Sequence, residues 1–437
     1  MRRRVSIAFG FLALIAVGAI VLSSPQARNA GAWGNFSSAL FTATSAVCVT
    51  GLTVVDIARE YSRFGQIVLM VLVEFGCLGL MTLGTFLLVA IGRRLSLSRE
   101  FSLMNAYGVT QIRGLKGLIL WIIGSMVVIE GVGAALLYLR FHDWYQAAFF
   151  SVMSFCNAGF SILPGSISSF ARDPYVVGVM ALETILGGIG FLVIFNLCTF
   201  KFLRRMSGAR GRLTLHTKVV LRVTLYLLVF AFVVFLALEW NGSLAIYGFS
   251  DRLTVGFFQA VTPRTCGFTI VPVESLKPLT RLVYEVLMFI GGGPGSAAAG
   301  IKVTTLAVIV YTLRAMCRGE QETVISGRSV SYDAVRESII IVVTLASFIW
   351  LVVAALTMTE AGGEVGVQDL FFEAVSAITT TGLSVGDTTA SLSPAGRAVI
   401  MVAMFIGRLG ALSVVMLIGD REANKHLRYP HEELVVG

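Results

Sequence analysis

The sequence predicts an all-α polytopic membrane protein: eight transmembrane helices and four re-entrant pore half-helices, arranged as four M1–P–M2 repeats around a central pore. Three observations predict it. Of 437 residues, 56% are hydrophobic and only 14% are charged, where a soluble protein carries roughly 25% charged residues. Eight apolar segments are long enough to approach or exceed the roughly 20 residues that a helix needs to cross a bilayer. Within each successive pair of long segments lies a shorter one that ends in a glycine turn. Length alone suggests two or three soluble domains, and composition overrules that reading.

The long segments run at about 5–23, 64–91, 115–140, 174–203, 218–239, 279–312, 336–358 and 395–419. Arg2, Arg3 and Arg4 precede the first, and Ala27-Arg28-Asn29-Ala30 has the spacing of a signal-peptide cleavage site. The apolar run from Val5 to Leu22 is longer than a usual signal core, and the first repeat needs it. It is therefore read as a retained helix.

The short segments, about 12–15 residues each, cannot span. At membrane depth such a segment is a re-entrant half-helix shielded by surrounding protein. Their sequences resemble one another. Phe41-Thr42-Ala43-Thr44-Ser45 leads to Val49-Thr50-Gly51-Leu52, and Phe150-Ser151-Val152-Met153-Ser154 leads to Asn157-Ala158-Gly159-Phe160. Phe258-Gln259-Ala260-Val261-Thr262 leads to Thr265-Cys266-Gly267-Phe268, and Phe372-Glu373-Ala374-Val375-Ser376 leads to Thr380-Thr381-Gly382-Leu383. One such match means little, because lone glycines commonly let helices pack closely. Four in register mark an internal repeat. The repeats are assigned as 1–95, 96–205, 206–318 with an intramembrane glycine-rich loop, and 319–437 with a C-terminal tail.

The net charge of +9 raises a nucleic-acid reading. The basic residues sit in short loops between apolar segments, which argues for membrane lipid and against nucleic acid as the surrounding partner. Most lie away from the glycine turns, in Arg2–Arg4, Arg93–Lys116, Lys201–Arg222, Arg314–Arg336 and Arg421–Arg428. Basic residues at span ends favour the cytoplasm. Both termini are thus expected in the cytoplasm of a multi-pass protein of the cell inner (plasma) membrane, with the glycine loops entering from outside. The six cysteines include no CxxC pair, so their spacing supports neither a disulfide framework nor a zinc site.

An ion crossing the bilayer must exchange its hydration shell for equivalent ligands, and rings of backbone carbonyls can do this for potassium. Glycine suits such a ring because it reaches backbone conformations closed to other residues. The half-helices would add the partial negative charge of their C-terminal ends. The candidate filter is Val49, Thr50 and Gly51; Asn157, Ala158 and Gly159; Thr265, Cys266 and Gly267; and Thr380, Thr381 and Gly382, with K+ held at their backbone carbonyls. Asp56, Glu60, Asp143, Asp173, Asp251, Glu364, Asp369 and Asp387 lie on the turn-bearing side. They either concentrate cations or are ordinary solvated loop charges.

Four M1–P–M2 units with single filter glycines resemble the Trk/Ktr/HKT superfamily of potassium transporters across nearly the whole chain. The resemblance implies potassium preference, since serine at the first filter position goes with sodium in plant members and this sequence has Gly51. Because the sequence begins directly at the first M1 helix, it is more similar to the Ktr type than to the Trk type. That likeness implies potassium uptake, possible Na+ stimulation, a homodimer and a cytoplasmic RCK-type nucleotide-binding regulatory ring. It also implies that the tail from His426 lies near the dimer interface.

The repeats differ in their second helices. Glu74, Glu183 and Glu285 are acids within the first three, whereas the fourth has Gly407-Arg408-Leu409-Gly410. Intramembrane charges are costly, so the acids are expected either to pair with Arg408 or Lys302 or to snorkel to the outer interface. In the third repeat, Gly291, Gly292, Gly293, Pro294, Gly295, Ser296 and Gly300 fall within ten residues, which cannot form a straight helix. The run looks like a phosphate-binding loop, but Ile301 occupies the required lysine position. The family resemblance implies an intramembrane gate formed by this run, Lys302 and Arg408. The alternative is a coupled cation symporter with alternating access. No HExxH or GxSxG motif appears and the four histidines lie near or outside membrane ends, so neither an enzyme nor an organic cofactor is expected.

Overall fold

The computed structural model describes residues 2–90, 115–207, 213–363 and 365–410. One sequence of elements recurs through it. The first quarter has the helix Arg2–Ser23, the half-helix Phe36–Val47 and the helix Arg63–Ala90. The second has Leu115–Phe141, the half-helix Trp144–Phe155, and then Pro174–Ile189 followed by Phe191–Ser207. The third has Leu215–Glu239, the half-helix Phe249–Val261, and then Pro278–Phe289 and Val303–Cys317. The fourth has Tyr332–Thr359, the half-helix Val367–Ile378 and Pro394–Leu409. A small antiparallel hairpin, Val324–Ile325 against Arg328–Ser329, joins the last two quarters.

The half-helices are 12, 12, 13 and 12 residues long. At 1.5 Å per residue that is roughly 18 Å, little more than half the hydrocarbon thickness. Asn35 starts the first by accepting a bond from the Ser37 amide at 2.9 Å, and Asp143 starts the second by accepting from Tyr145 at 2.8 Å. The recurring Phe41, Phe150, Phe258 and Phe372 are buried in the core, as is the polar residue after each. Each of these polar groups is hydrogen-bonded, the first within its own half-helix and the other three to neighbouring segments. Thr42 donates to the Ser38 carbonyl, Ser151 to the Glu130 carbonyl and Gln259 to the Val271 carbonyl, while Glu373 accepts from Thr389 at 2.9 Å.

The long helices are inverted in character, with apolar side chains turned outward. Val127, Val128 and Val132, then Leu225, Tyr226, Val229 and Val233, then Trp350 and Leu351 are all exposed. In water such belts would be aggregation sites, whereas a lipid face has this composition. Three described helices, Leu120–Phe141, Leu215–Glu239 and Tyr332–Thr359, are long and apolar enough to cross a membrane, and a fourth candidate is a bent pair.

That bent pair corrects the expectation of continuous second helices. Segment 174–203 breaks at Gly190, where φ is +100° and the two halves meet at 96°. Segment 64–91 carries a left-handed Gly79 at φ +70°, and Pro394–Leu409 ends at Gly410 with φ +82°. Residues 411–419 of the last expected span lie outside the described residues. Segment 279–312 is broken between Phe289 and Val303, as its glycines and proline led us to expect. An L side chain rarely adopts such φ values, so each break is encoded by glycine.

The reason for the breaks is packing. Three quarters carry Gly-x-x-Gly: Gly76 to Gly79, Gly187 to Gly190 and Gly407 to Gly410. A Cβ on the first glycine of each would strike a carbonyl at the end of its own quarter's half-helix, namely Val47, Phe155 or Ile378. The first glycine lets the second helix touch the half-helix end, and the second turns the chain away.

Candidate ion-selectivity filter

The four predicted glycines, far apart in sequence, meet at one place. A Cβ added to Gly51 would strike the Ala158 carbonyl, and one on Gly382 would strike the Thr50 carbonyl. At Gly159 it would lie 3.0 Å from the Cys266 carbonyl, and at Gly267 it would lie 2.9 Å from the Thr381 carbonyl. Each glycine therefore sits against the carbonyl of the residue before the next glycine. The contacts run from the first quarter to the second, third and fourth, and back to the first, so they close a ring.

Backbone conformation repeats around this ring. Gly51, Gly159, Gly267 and Gly382 have φ of +94°, +67°, +77° and +83°. Two residues earlier in each turn, Val49, Asn157, Thr265 and Thr380 are also left-handed, at +55°, +56°, +65° and +47°. Three of those four are β-branched, for which this region is an outlier, and holding one there costs about 1–3 kcal/mol. Bonds from the half-helices hold the turns. The amides of Thr50, Ala158 and Thr381 donate to the carbonyls of Ser45, Met153 and Ser376 at 2.8, 2.9 and 2.8 Å. In the third quarter Cys266 instead donates to Thr262 at 3.1 Å. The hydroxyls of Thr50, Thr265 and Thr380 are buried without a partner.

The glycine-rich segment is anchored from three quarters. Gly293 and Ala297 donate to the carbonyls of Gly188 and Gly187 at 2.8 and 3.2 Å, and Phe191 donates to Gly295 at 3.0 Å. Gly291 and Ile301 bridge back on the segment's own ends. Ser296 donates to Gly293 and Lys302 to Ala298, both at 2.6 Å. Arg408 donates to Ala297 at 2.6 Å and also to Gly76, so its guanidinium joins the first, third and fourth quarters.

The expected pairing of the acids with Arg408 or Lys302 is absent among the described residues; both cations bond to backbone carbonyls instead. Glu183 accepts from Ser151, and one oxygen of Glu285 is buried without a partner. The outer acids are largely occupied. Asp56, Asp143 and Asp173 cap helices. Glu60, Asp173, Asp251 and Asp369 pair with Arg28, Arg140, Arg172 and Arg281. Glu364 lies outside the described residues.

Sequence reasoning missed three buried groups. Arg264, directly before the third turn, is buried and donates to the Gly291 carbonyl at 3.2 Å, linking that turn to the glycine-rich segment. A lone arginine in an apolar hairpin was its signal. Glu130 is buried midway along the second quarter's first helix, a place where the repeat pattern offered no motif to flag it. Glu373 braces the fourth turn through Ser384 and Thr389, and its position in the repeat was legible as a polar one.

Residues 8–425 match the family described as TrkH, cation transport protein. The chain is similar to the Ktr system potassium uptake protein B of Bacillus subtilis, with 36% identity covering 99% of this chain and 96% of that protein. It is also similar to the potassium/sodium uptake protein NtpJ of Enterococcus hirae, with 34% identity covering 100% and 98%. In fold it resembles the crystal structure of the potassium transporter TrkH from Vibrio parahaemolyticus, with a TM-score of 0.73, 17% identity, and 95% and 84% of the two chains covered.

Proposed function

The chain belongs to the TrkH family of cation transport proteins, and on that premise we propose that it takes up potassium through a pore whose selectivity filter is the ring of Gly51, Gly159, Gly267 and Gly382. The observation that carries this reading is the cyclic contact of each glycine with the carbonyl before the next. Four quarters then supply backbone oxygens about one axis, which can replace a potassium ion's hydration shell. Fixed negative side chains are absent from the four turns, so a bound ion can leave again.

In this reading eight helices span the inner (plasma) membrane, four half-helices re-enter from outside and both termini lie in the cytoplasm. The domains are the four repeats. Residues Gly291–Gly300, Lys302 and Arg408 form the gate beneath the filter. The resemblance of the chain to Ktr-type subunits supports a homodimer on an RCK-type nucleotide-binding ring, and the name of the Enterococcus relative supports a role for sodium.

The test is rubidium uptake into potassium-loaded liposomes, with and without sodium, comparing the wild type with Gly267→Ser. The wild type takes up rubidium in preference to sodium. The variant's preference falls by about tenfold, as expected if the new Cβ displaces the Thr381 carbonyl at a cost of only ~1.4 kcal/mol. Equal uptake of both ions by the wild type would overturn the selectivity reading.

A further inference from the structure

Behind the second quarter's turn lies a cluster of side chains that the filter reading does not use. A carboxyl oxygen of Glu74, a carboxyl oxygen of Glu130 and the Sγ of Cys156 lie within 4.8 Å of one another. They come from three elements: Arg63–Ala90, Leu115–Phe141 and the cap of the half-helix Trp144–Phe155. The Cys156 Sγ is 3.7 Å from the Glu130 Oε1. A second observation points to a missing partner. Glu183 is 3% exposed, and its Oε2 has no hydrogen-bond partner. Its other oxygen is hydrogen-bonded to the Ser151 hydroxyl, which also lies 2.7 Å from the Glu130 carbonyl. Glu183 thus faces the helix that carries Glu130. Among the described residues no ion pair neutralises any of these three acids.

We propose that Glu74, Glu130 and Cys156 form a three-donor binding site for a soft divalent cation of the zinc class, with solvent as the fourth ligand. The geometry suits that class. With Zn–S near 2.3 Å and Zn–O near 2.0–2.2 Å, a tetrahedral S···O edge is roughly 3.5 Å, close to the 3.7 Å between Cys156 and Glu130. Thiolate selects zinc or cadmium over magnesium and calcium, which prefer oxygen alone. On binding, the metal forms bonds to two carboxylates and the thiolate, and any protons held by these groups leave to solvent. Glu74 is only partly buried, so the cluster opens at that side chain. Because Cys156 directly precedes Asn157, an ion there fixes the second turn and slows transport.

Cadmium titration of the purified full-length protein tests this directly, read by the ultraviolet thiolate-to-cadmium charge-transfer band and by bound metal per chain. The wild type gains the band with one ion per chain. Cys156→Ser loses the band. Glu130→Gln, which conserves volume, weakens binding by more than the roughly 10-fold that loss of even an outer-shell partner costs. In liposomes, zinc slows rubidium uptake by the wild type and leaves uptake by Glu130→Gln unaffected at the same concentration. Absence of the band in the wild type, or equal binding by both variants, would overturn the site. The binding measurement needs no transport, so its failure is separable from failure of the potassium reading.

Discussion

A methyl group is the sharpest probe of the glycine ring. At Gly159 a Cβ would lie 2.7 Å from the Gly267 Cα and 3.0 Å from the Cys266 carbonyl, at a φ of +67°. Backbone rather than a flexible side chain stands in its way. Gly159→Ala is therefore expected to abolish potassium-dependent growth of an uptake-deficient host, at normal membrane levels of the protein. Growth at the wild-type rate would remove Gly159 from the ring. Gly124, which has nothing within 4 Å of an added Cβ, is the matched control: Gly124→Ala leaves growth unchanged. Single residues were also where the sequence was least informative. The glycines could be found because they repeat, whereas Arg264 and Glu130 occur once each. Their roles depend on neighbours from other elements that spacing cannot reveal.

At the scale of elements, the half-helices were legible and the breaks only partly so. Four Phe-to-Gly motifs located the half-helices closely, because length and a terminal turn are local properties. The break at 291–300 was legible from five glycines and a proline. The 96° bend at Gly190 was not, because one glycine in an apolar run is ordinarily tolerated. The bend is stabilised by a distant bond, from the Phe191 amide to the Gly295 carbonyl. The bonds of Arg408 bear on the proposed role of the glycine-rich segment as a gate. Arg408→Ala removes the bond that fastens the segment to the fourth quarter at Ala297 and the bond that ties Arg408 to the first quarter at Gly76, each worth about 1.5–3 kcal/mol for a charged donor. Rubidium uptake through this variant is expected to rise several-fold, as is uptake after shortening 291–300. Wild-type uptake in both would mean that the segment is structural and not a gate.

For the whole molecule, the pattern of outward apolar belts and inward half-helices follows from hydropathy, and the order of the quarters from the repeat. Orientation rests on the placement of arginine and lysine. A cysteine introduced at Ser169, exposed in the loop after the second turn, is therefore expected to react with a membrane-impermeant maleimide on intact cells. One introduced at Ser326, exposed in the hairpin between the third and fourth quarters, is expected to react only after permeabilisation. The opposite labelling pattern would invert the topology and place the glycine turns on the inner side.

The closure of the ring within one polypeptide has a further consequence. In an assembly of four identical chains, one codon change alters every side of the conduction path together. Here the positions equivalent to Val49 are Asn157, Thr265 and Thr380, so each side is inherited separately. On the proposed reading of the ring as the filter, mutation adjusts ion preference in steps of one quarter, and a defect on one side is offset by a change on another.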